Sequence, residues 1–138
     1  MLNSICQFEY VRAHVRRPVP SLPAQSLLTA CRGYAAPAGL PITLELGHLA
    51  GSKLSDYSVK RANADSPAIE ACGFDASTYV NTDPVAQNVA RAILRQFEGI
   101  VIVPRRPLSP GRYQVAVDAG QTYTWSFAIV GRSRSSSM

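Results

Sequence analysis

Apolar and polar residues alternate along much of the chain, and the alternation is clear near its centre. Ile42, Leu44 and Leu46 are separated by Thr43 and Glu45. A period of two places alternate side chains on the same face of a strand, so this pattern predicts a strand over residues 41–46 with one buried face. Shorter runs of the same kind predict two further strands, over residues 54–60 and 69–74.

The last third of the chain carries the strongest strand pattern. Residues 100–103 are continuously apolar, which is typical of a strand buried on both faces. After a proline-rich connection over residues 104–111, two alternating runs flank Gly120, whose freedom to adopt a positive φ suits a hairpin turn. An isolated hairpin is marginal in water, so its apolar face must pack against a second sheet or a helix. The residues of this face are predicted to form the core: Tyr113, Val115, Val117, Tyr123, Trp125, Phe127 and Ile129.

One helix is predicted between the early and the late strands. Asp83 is a favourable N-cap, Pro84 suits the first helical position, and Gly99 lies just beyond the expected end. An apolar stripe runs along this segment, which predicts that the helix packs against the sheet. The stripe recurs every four residues at Val85, Val89, Ile93 and Phe97 and is widened by Ala86, Ala90 and Leu94. Of these residues, Val89, Ile93 and Phe97 are predicted to belong to the core.

The composition fits one folded domain. At 138 residues the chain can form one ordinary core, and 46% hydrophobic against 17% charged residues is typical of a globular protein. The net charge of +5 comes from dispersed arginines that no aromatic residues interleave, so no nucleic-acid binding is predicted. No run of 18 apolar residues is present, and no transmembrane segment is predicted.

The two ends of the chain differ from its centre. Pro18, Pro20, Pro23 and Pro37 remove backbone donors and hold the chain extended, so residues 1–38 are predicted to form a flexible leader or arm. Residues 39–130 are predicted to form the folded module. The Ser- and Arg-rich residues 131–138 are predicted to form a disordered tail.

The cysteines bear on redox state and on localisation. Cys6, Cys31 and Cys72 allow at most one disulfide, and the sequence leaves open whether Cys31 or Cys6 pairs with Cys72. Residues 28–31 look like a bacterial lipoprotein processing site that ends at Cys31. Prolines interrupt the apolar stretch before it, whereas an export signal needs about 7–15 apolar residues in succession. A weak export signal and a disordered or truncated leader are both interpretations of this stretch.

The sequence contains little that is typical of a catalytic or cofactor site. His14 lies in the proline-flanked arm and His48 follows a predicted strand, so no shared metal site or base–nucleophile pair is expected. No Gly-rich phosphate-binding loop precedes the helix. A nucleophile elbow is also missing around the serines considered, which are Ser52, Ser55 and Ser66. The chain is therefore predicted to be non-catalytic and to bind no cofactor.

Two binding functions were considered for the remaining polar and aromatic residues. A calcium site could use loop oxygens of Asp75, Asn81 and Asp83, although their spacing matches no EF-hand loop. A platform for sugar rings would need exposed aromatic residues, but strand alternation assigns most of them to the core. The aromatic candidates are Tyr79, Tyr113, Tyr123 and Trp125.

Several segments between residues 71 and 127 match a known pattern. They are Ala71-Cys72-Gly73-Phe74-Asp75, Thr78-Tyr79-Val80-Asn81-Thr82-Asp83, Ala90-Arg91-Ala92-Ile93-Leu94, a P-x-x-PL-x-PG-x-Y segment from Pro104 to Tyr113, and a Y-T-W-S-F strand from Tyr123 to Phe127. Together they resemble the C-terminal accessory domain of bacterial secreted proteins of the CAP superfamily, which is related to the cysteine-rich secretory proteins. The resemblance implies an immunoglobulin-like β-sandwich that belongs to a secreted multidomain protein. Nothing in the chain resembles the CAP domain itself, so the activity of that domain is not implied.

The sequence therefore predicts a mainly-β, Ig-like sandwich with one short α-helix. Its predicted function is that of a non-catalytic accessory or interaction module of a secreted or surface bacterial protein, with another domain or protein at the cell surface as partner. One alternative is a carbohydrate- or cell-wall-binding adhesive module, which needs an exposed aromatic row or a long strand edge that is open to pairing. The other alternative is a hydrolase fragment, which needs a base and a nucleophile close together.

Overall fold

The fold, seen in a computed structural model, contains six strands and one helix within the described residues 27–47, 53–63 and 65–131. The elements are β1 (Ile42–Glu45), β2 (Asp56–Arg61), β3 (Ala71–Phe74), α1 (Pro84–Phe97), β4 (Gly99–Pro104), β5 (Gly111–Asp118) and β6 (Thr122–Ile129). The prediction of a mainly-β fold with a single helix between early and late strands is confirmed. The predicted strands over residues 41–46, 54–60 and 69–74 correspond to β1, β2 and β3.

The strands form two antiparallel sheets of three strands each. One sheet has the order β1-β4-β3, and the other has the order β2-β5-β6. In the first, Ile42 pairs with Ile102 and Cys72 pairs with Val103. In the second, Val115 lies between Val59 on one side and Trp125 on the other. The two sheets face each other, as expected for a β-sandwich.

Strand β4 explains why the molecule has three layers. All six of its residues are buried, as the apolar run over residues 100–103 predicts. Ile100 and Ile102 belong to the core between the two sheets. Val101 and Val103 point to the opposite face and belong to a second core under α1. The first sheet is therefore the middle layer, with α1 on one side and the second sheet on the other.

The hairpin of β5 and β6 supplies the buried aromatic residues of the core between the sheets. Tyr113, Val115, Val117, Tyr123, Trp125 and Phe127 are all buried there, while Ile129 is only partly buried at the end of β6. The rings of Tyr113 and Phe127 stack with their centroids 5.5 Å apart. Gly120 has a φ of 80° in the turn, where a side chain would strain the backbone. The alternation of the sequence thus matches the observed burial.

The proline-rich connection between β4 and β5 is held to the folded body by polar contacts. The hydroxyl of Tyr113 donates a hydrogen bond of 2.6 Å to the backbone oxygen of Ser109. The N–H of Gly39 donates to the backbone oxygen of Pro104 at 2.9 Å. A Cβ atom at Gly39 would lie 2.6 Å from the ring of Pro104, so this close approach requires glycine. These two contacts hold the two ends of the connection to the folded body.

Helix α1 begins as predicted, but its buried face differs from the prediction. The carboxylate of Asp83 accepts hydrogen bonds from the N–H groups of Val85 and Ala86, which is the expected N-cap geometry. The helix ends at Phe97, its C-cap residue Glu98 adopts the left-handed conformation, and Gly99 already belongs to β4.

The prediction that Val89 and Phe97 belong to the core is wrong. Val89 is 52% exposed and Phe97 is 45% exposed, whereas Ala90 and Leu94 are buried against β4. Ile93 is only partly buried. The small side chain of Ala90 lets the helix lie close to Val101 and Val103, so the helix packs on its alanine–leucine edge and turns the valines outward.

The predicted boundary at residue 38 also needs correction. Leu27 and Cys31 are buried in the core under α1, together with Phe74 and Tyr79. This part of the predicted flexible arm therefore belongs to the folded body. The rest of the predicted arm lies outside the described residues, and so does the predicted tail from residue 132 onward.

Candidate functional site

A disulfide attaches the first described segment to the middle sheet. Cys31 is bonded to Cys72 on β3, with a Cα–Cα distance of 5.7 Å. Of the two pairings that the sequence left open, the structure contains the one with Cys31. A lipid at a processed cysteine is attached through the same sulfur atom, so the disulfide and the lipoprotein interpretation of Cys31 exclude each other within one molecule.

Arg105 provides a second attachment for the same segment. Its guanidinium forms a 2.6 Å ion pair with Glu70 and donates to the backbone oxygen of Gly33 at 3.3 Å. It also lies 5.2 Å from the centre of the Tyr34 ring, a distance suited to a cation–π interaction. Although the side chain of Arg105 is partly exposed, its contacts have a structural role.

Asp75 is the most extensively bonded carboxylate of the described residues. Its Oδ2 accepts from the N–H of Leu54 at 2.9 Å, which ties the start of β2 to the end of β3. Its Oδ1 accepts from the N–H and hydroxyl groups of both Ser77 and Thr78 at 2.6 to 3.2 Å. Burial alone raises the pKa of this carboxyl group, but the hydrogen bonds from Ser77, Leu54 and Thr78 outweigh it and hold the pKa below its usual value.

Asp75→Asn is expected to lower the free energy of unfolding by about 1–2 kcal/mol at pH 7, because bonds to a charged acceptor are stronger than bonds to an amide. A carboxylate with a lowered pKa stabilises the fold above the pKa of the unfolded chain, about 3.9, and loses this effect as pH falls through the folded-state pKa. The difference between wild type and variant should therefore shrink below about pH 4. Urea unfolding at a series of pH values measures it. A difference that is independent of pH would contradict this role for the charge.

The residues considered for calcium are already bonded within the chain. Asp83 caps α1, and its N–H donates to the side-chain oxygen of Asn81 at 2.9 Å. The side-chain nitrogen of Asn81 donates to the hydroxyl of Tyr79 at 3.1 Å. The carboxylate of Asp75 has the partners described above. In the ranges that the structure describes, no three His, Cys, Asp or Glu side chains come together as a metal site would require.

The structure does not bring together the residues considered for catalysis that it describes, Ser55 and Ser66. The hydroxyl of Ser55 donates to the backbone oxygen of Asp118 at 3.0 Å, at the start of β2, and Ser66 lies in the loop before β3. The remaining candidates, His14, His48 and Ser52, lie outside the described residues. The hydrolase alternative therefore has no support from the part of the chain that is described.

The aromatic residues do not form a platform for sugars. Tyr79, Tyr113, Tyr123 and Trp125 are all buried, and Trp125 is only 7% exposed. Tyr79 packs against Phe74 in the core under α1, with ring centroids 5.5 Å apart. The exposed aromatic row that the carbohydrate-binding alternative requires is therefore absent from these four residues.

Two apolar surfaces are not explained by the polar contacts described above. The first is the outer side of α1 and the loop before it, where Val80, Val85, Val89 and Phe97 are exposed. Sequence patterning missed this surface because it assigned the valine stripe to the core. A helix with two apolar edges cannot be oriented from its periodicity alone.

The second surface is the side of the sandwich where β1 and β6 lie at the edges of their sheets. A cleft of about 270 Å³ opens here between the ends of these strands. Its lining is apolar and comes from both sheets and from the β4–β5 connection: Ala38, Leu40, Ile42, Pro107, Leu108, Phe127 and Ile129. On the opposite side, a hydrogen bond from Ile69 to Val59 joins the segment before β3 to β2. Within the part of the chain that the structure describes, the sandwich is therefore closed on one side and open on the other.

Comparisons of the chain with family models, with curated proteins and with solved structures gave no match. The resemblance to the CAP-associated domain therefore stays a prediction. Among the described residues, no helix combines the length and the apolar character that crossing a membrane requires.

The candidate site of this protein is a surface on a β-sandwich, defined by the side where β1 and β6 form the edges of their sheets.

Proposed function

We propose that this protein is a non-catalytic interaction module of an extracytoplasmic bacterial protein, and that it binds other proteins by pairing strands. The observation that supports it is the outer edge of β6. This edge is eight residues long and carries no charged residue, and none of the described residues pairs with it. Soluble proteins generally protect long strand edges with charges, prolines or covering segments, so an edge without them is suited to binding another strand.

The disulfide supports the extracytoplasmic part of the proposal. Disulfides persist in oxidising compartments, and in the cytosol of most organisms they are kept reduced. The bond between Cys31 and Cys72 closes a separation of 41 residues and holds the first described segment in the core under α1. Cys31 is buried with that core, whereas reactive cysteines are partly exposed, so its burial favours a structural role for the bond over a catalytic one.

The open edge also distinguishes protein binding from carbohydrate binding. An adhesive module of either kind needs an exposed aromatic row or a long edge that can accept a strand. The aromatic side chains of β6, including Trp125, point into the sandwich. None of the described residues pairs with the outer edge of the same strand, so the feature that is available recognises main chain rather than sugar rings.

The cellular compartment of the protein is tested by trapping the redox state of its thiols. The experiment uses living cells that produce the protein naturally. Cells are quenched in acid and treated with a maleimide under denaturing conditions, and the peptides that contain Cys31 and Cys72 are examined by mass spectrometry. We expect both residues to escape modification unless a reductant is added first, because they form a disulfide in an oxidising compartment.

A chain with Cys31→Ser and Cys6→Ser is the control, since Cys72 then has no cysteine partner within the chain and must become reactive. Modification of Cys31 and Cys72 in the wild-type chain without reductant would show that the protein occurs in a reducing compartment. That result would overturn the extracytoplasmic proposal.

A further inference from the structure

The register of the sheet shows which main-chain groups of β6 point outward. The N–H of Ala62 donates to the oxygen of Arg112 at 3.0 Å, so the even-numbered residues of β5 bond to β2. In an antiparallel sheet the direction of these groups alternates along a strand, so the odd-numbered residues of β5 bond to β6. Their partners on β6 include Trp125 and Phe127. The intervening residues direct N–H and C=O groups to the open edge: Thr122, Thr124, Ser126 and Ala128.

The other three sheet edges are less suited to accepting a strand. Strands β1 and β3 have four residues each, half the length of β6. Strand β2 carries Asp56, Lys60 and Arg61, and Ala68 and Ile69 already pair with part of its edge. Among the described strands, β6 therefore has the longest edge and the only edge of that length without charge.

The residues along the outer edge of β6 are complementary to the same residues on a second β6 strand. An antiparallel pair of β6 strands with its two-fold axis at Trp125 places Thr124 opposite Ser126 and Thr122 opposite Ala128. These side chains are small and uncharged, and Thr124 and Ser126 can exchange hydroxyl hydrogen bonds across the pair. The same register forms about eight main-chain hydrogen bonds. A chain with a net charge of +5 repels copies of itself over most surfaces, but this edge contributes nothing to that repulsion.

We propose that the partner at this edge is a second copy of the chain, bound through antiparallel β6–β6 pairing about a two-fold axis. The inference rests on the proposed interaction function and identifies the partner of its edge. The pairing joins two three-stranded sheets into one continuous sheet of six strands. It also brings the second copy close to Val130, which follows β6 and is 82% exposed. A two-fold contact of this kind uses the same surface on both copies and therefore closes as a dimer.

Opposed charges at the paired positions test both the contact and its register. The double variant Thr124→Lys with Ser126→Lys places like charges opposite each other in both symmetry-related pairs. The double variant Thr124→Lys with Ser126→Glu places opposite charges there instead. Neither side chain belongs to the buried core. The variant Asn88→Lys with Gln96→Lys adds two charges to the exposed side of α1 and is the matched control.

Sedimentation equilibrium of the full chain, from about 5 to about 200 µM, measures the mass of each protein. We expect the wild type and the control to approach twice the 14.9 kDa chain mass with rising concentration. The Lys–Lys variant should stay monomeric, and the Lys–Glu variant should dimerise again. Circular dichroism verifies that each variant is folded.

A wild-type chain that is monomeric at every concentration would overturn the inference. Dimerisation of a folded Lys–Lys variant to the same extent as the wild type would also overturn it, since pairing would then use another surface. If the Lys–Lys variant fails to fold, the masses of the wild type and of the Lys–Glu variant still decide the question. A monomeric wild type with an oxidised Cys31–Cys72 bond in cells would remove only the second copy as partner, and the extracytoplasmic proposal would stand.

Discussion

Replacing Cys31 and Cys72 together by alanine is expected to lower the free energy of unfolding by about 4 kcal/mol. The bond joins residues 41 positions apart, and its loss returns the entropy of that loop to the unfolded chain. The substitution also frees the segment that carries Leu27, which is buried under α1 beside Phe74. Since domains of this size are stable by about 5–15 kcal/mol, this is a large share of the total.

Urea unfolding measures the effect, with Cys6→Ser in both proteins so that no third thiol can exchange. Wild-type protein treated with a reductant is a second comparison and should show a similar loss. A loss below about 1 kcal/mol would contradict the structural role assigned to the bond.

Leu94→Ala is expected to lower the free energy of unfolding by about 3 kcal/mol, because it leaves a cavity between α1 and β4. Leu94 is 6% exposed and belongs to the core with Val101 and Val103. The matched substitution on the same helix is Val89→Ala, which should change the stability by less than about 0.5 kcal/mol. Val89 is 52% exposed, and alanine has the higher helix propensity.

Thermal or urea unfolding of the two variants compares the two edges of the helix directly. Equal losses would mean that both edges of α1 are packed, as the broad stripe of the sequence pattern predicts. A larger loss for Val89→Ala than for Leu94→Ala would contradict the orientation of the helix described here.

The strands could be predicted because a period of two divides the residues of a strand into only two sets, or phases, one on each face. In β5 and β6, one phase contains large apolar residues such as Tyr113 and Trp125, and the other contains mainly small or polar residues. The burial of one phase follows directly from the cost of exposing so much apolar area. The run from Ile100 to Val103 was likewise predictable, because a strand that is apolar in both phases must be covered on both faces.

The orientation of α1 could not be predicted because two overlapping faces of the helix are apolar. Val85, Val89 and Phe97 have more apolar area than Ala90, and a pattern weighted by hydrophobicity favours burying them. The structure buries Ala90 and Leu94, since a small residue permits a closer approach to β4. The choice depends on the shape of the sheet beneath the helix, which is absent from local sequence.

The first described segment was missed for a related reason. The prolines of the predicted arm indicated an extended chain, but residues 27–34 form successive turns instead. Leu27 and Cys31 are held in place by contacts with β3 that are distant in sequence. Three cysteines allowed at most one disulfide, yet the sequence could not select between two partners for Cys72. The open edge of β6 likewise required strand order, which alternation does not specify.

The position of β4 determines how cooperatively the molecule unfolds. Alternate residues of this one strand belong to the core between the sheets and to the core under α1. Removing the helix would expose Val101 and Val103, and removing the outer sheet would expose Ile100 and Ile102 on the same backbone. Neither half can therefore melt while the other keeps its full stability, and the three layers form a single cooperative unit despite having two hydrophobic interiors.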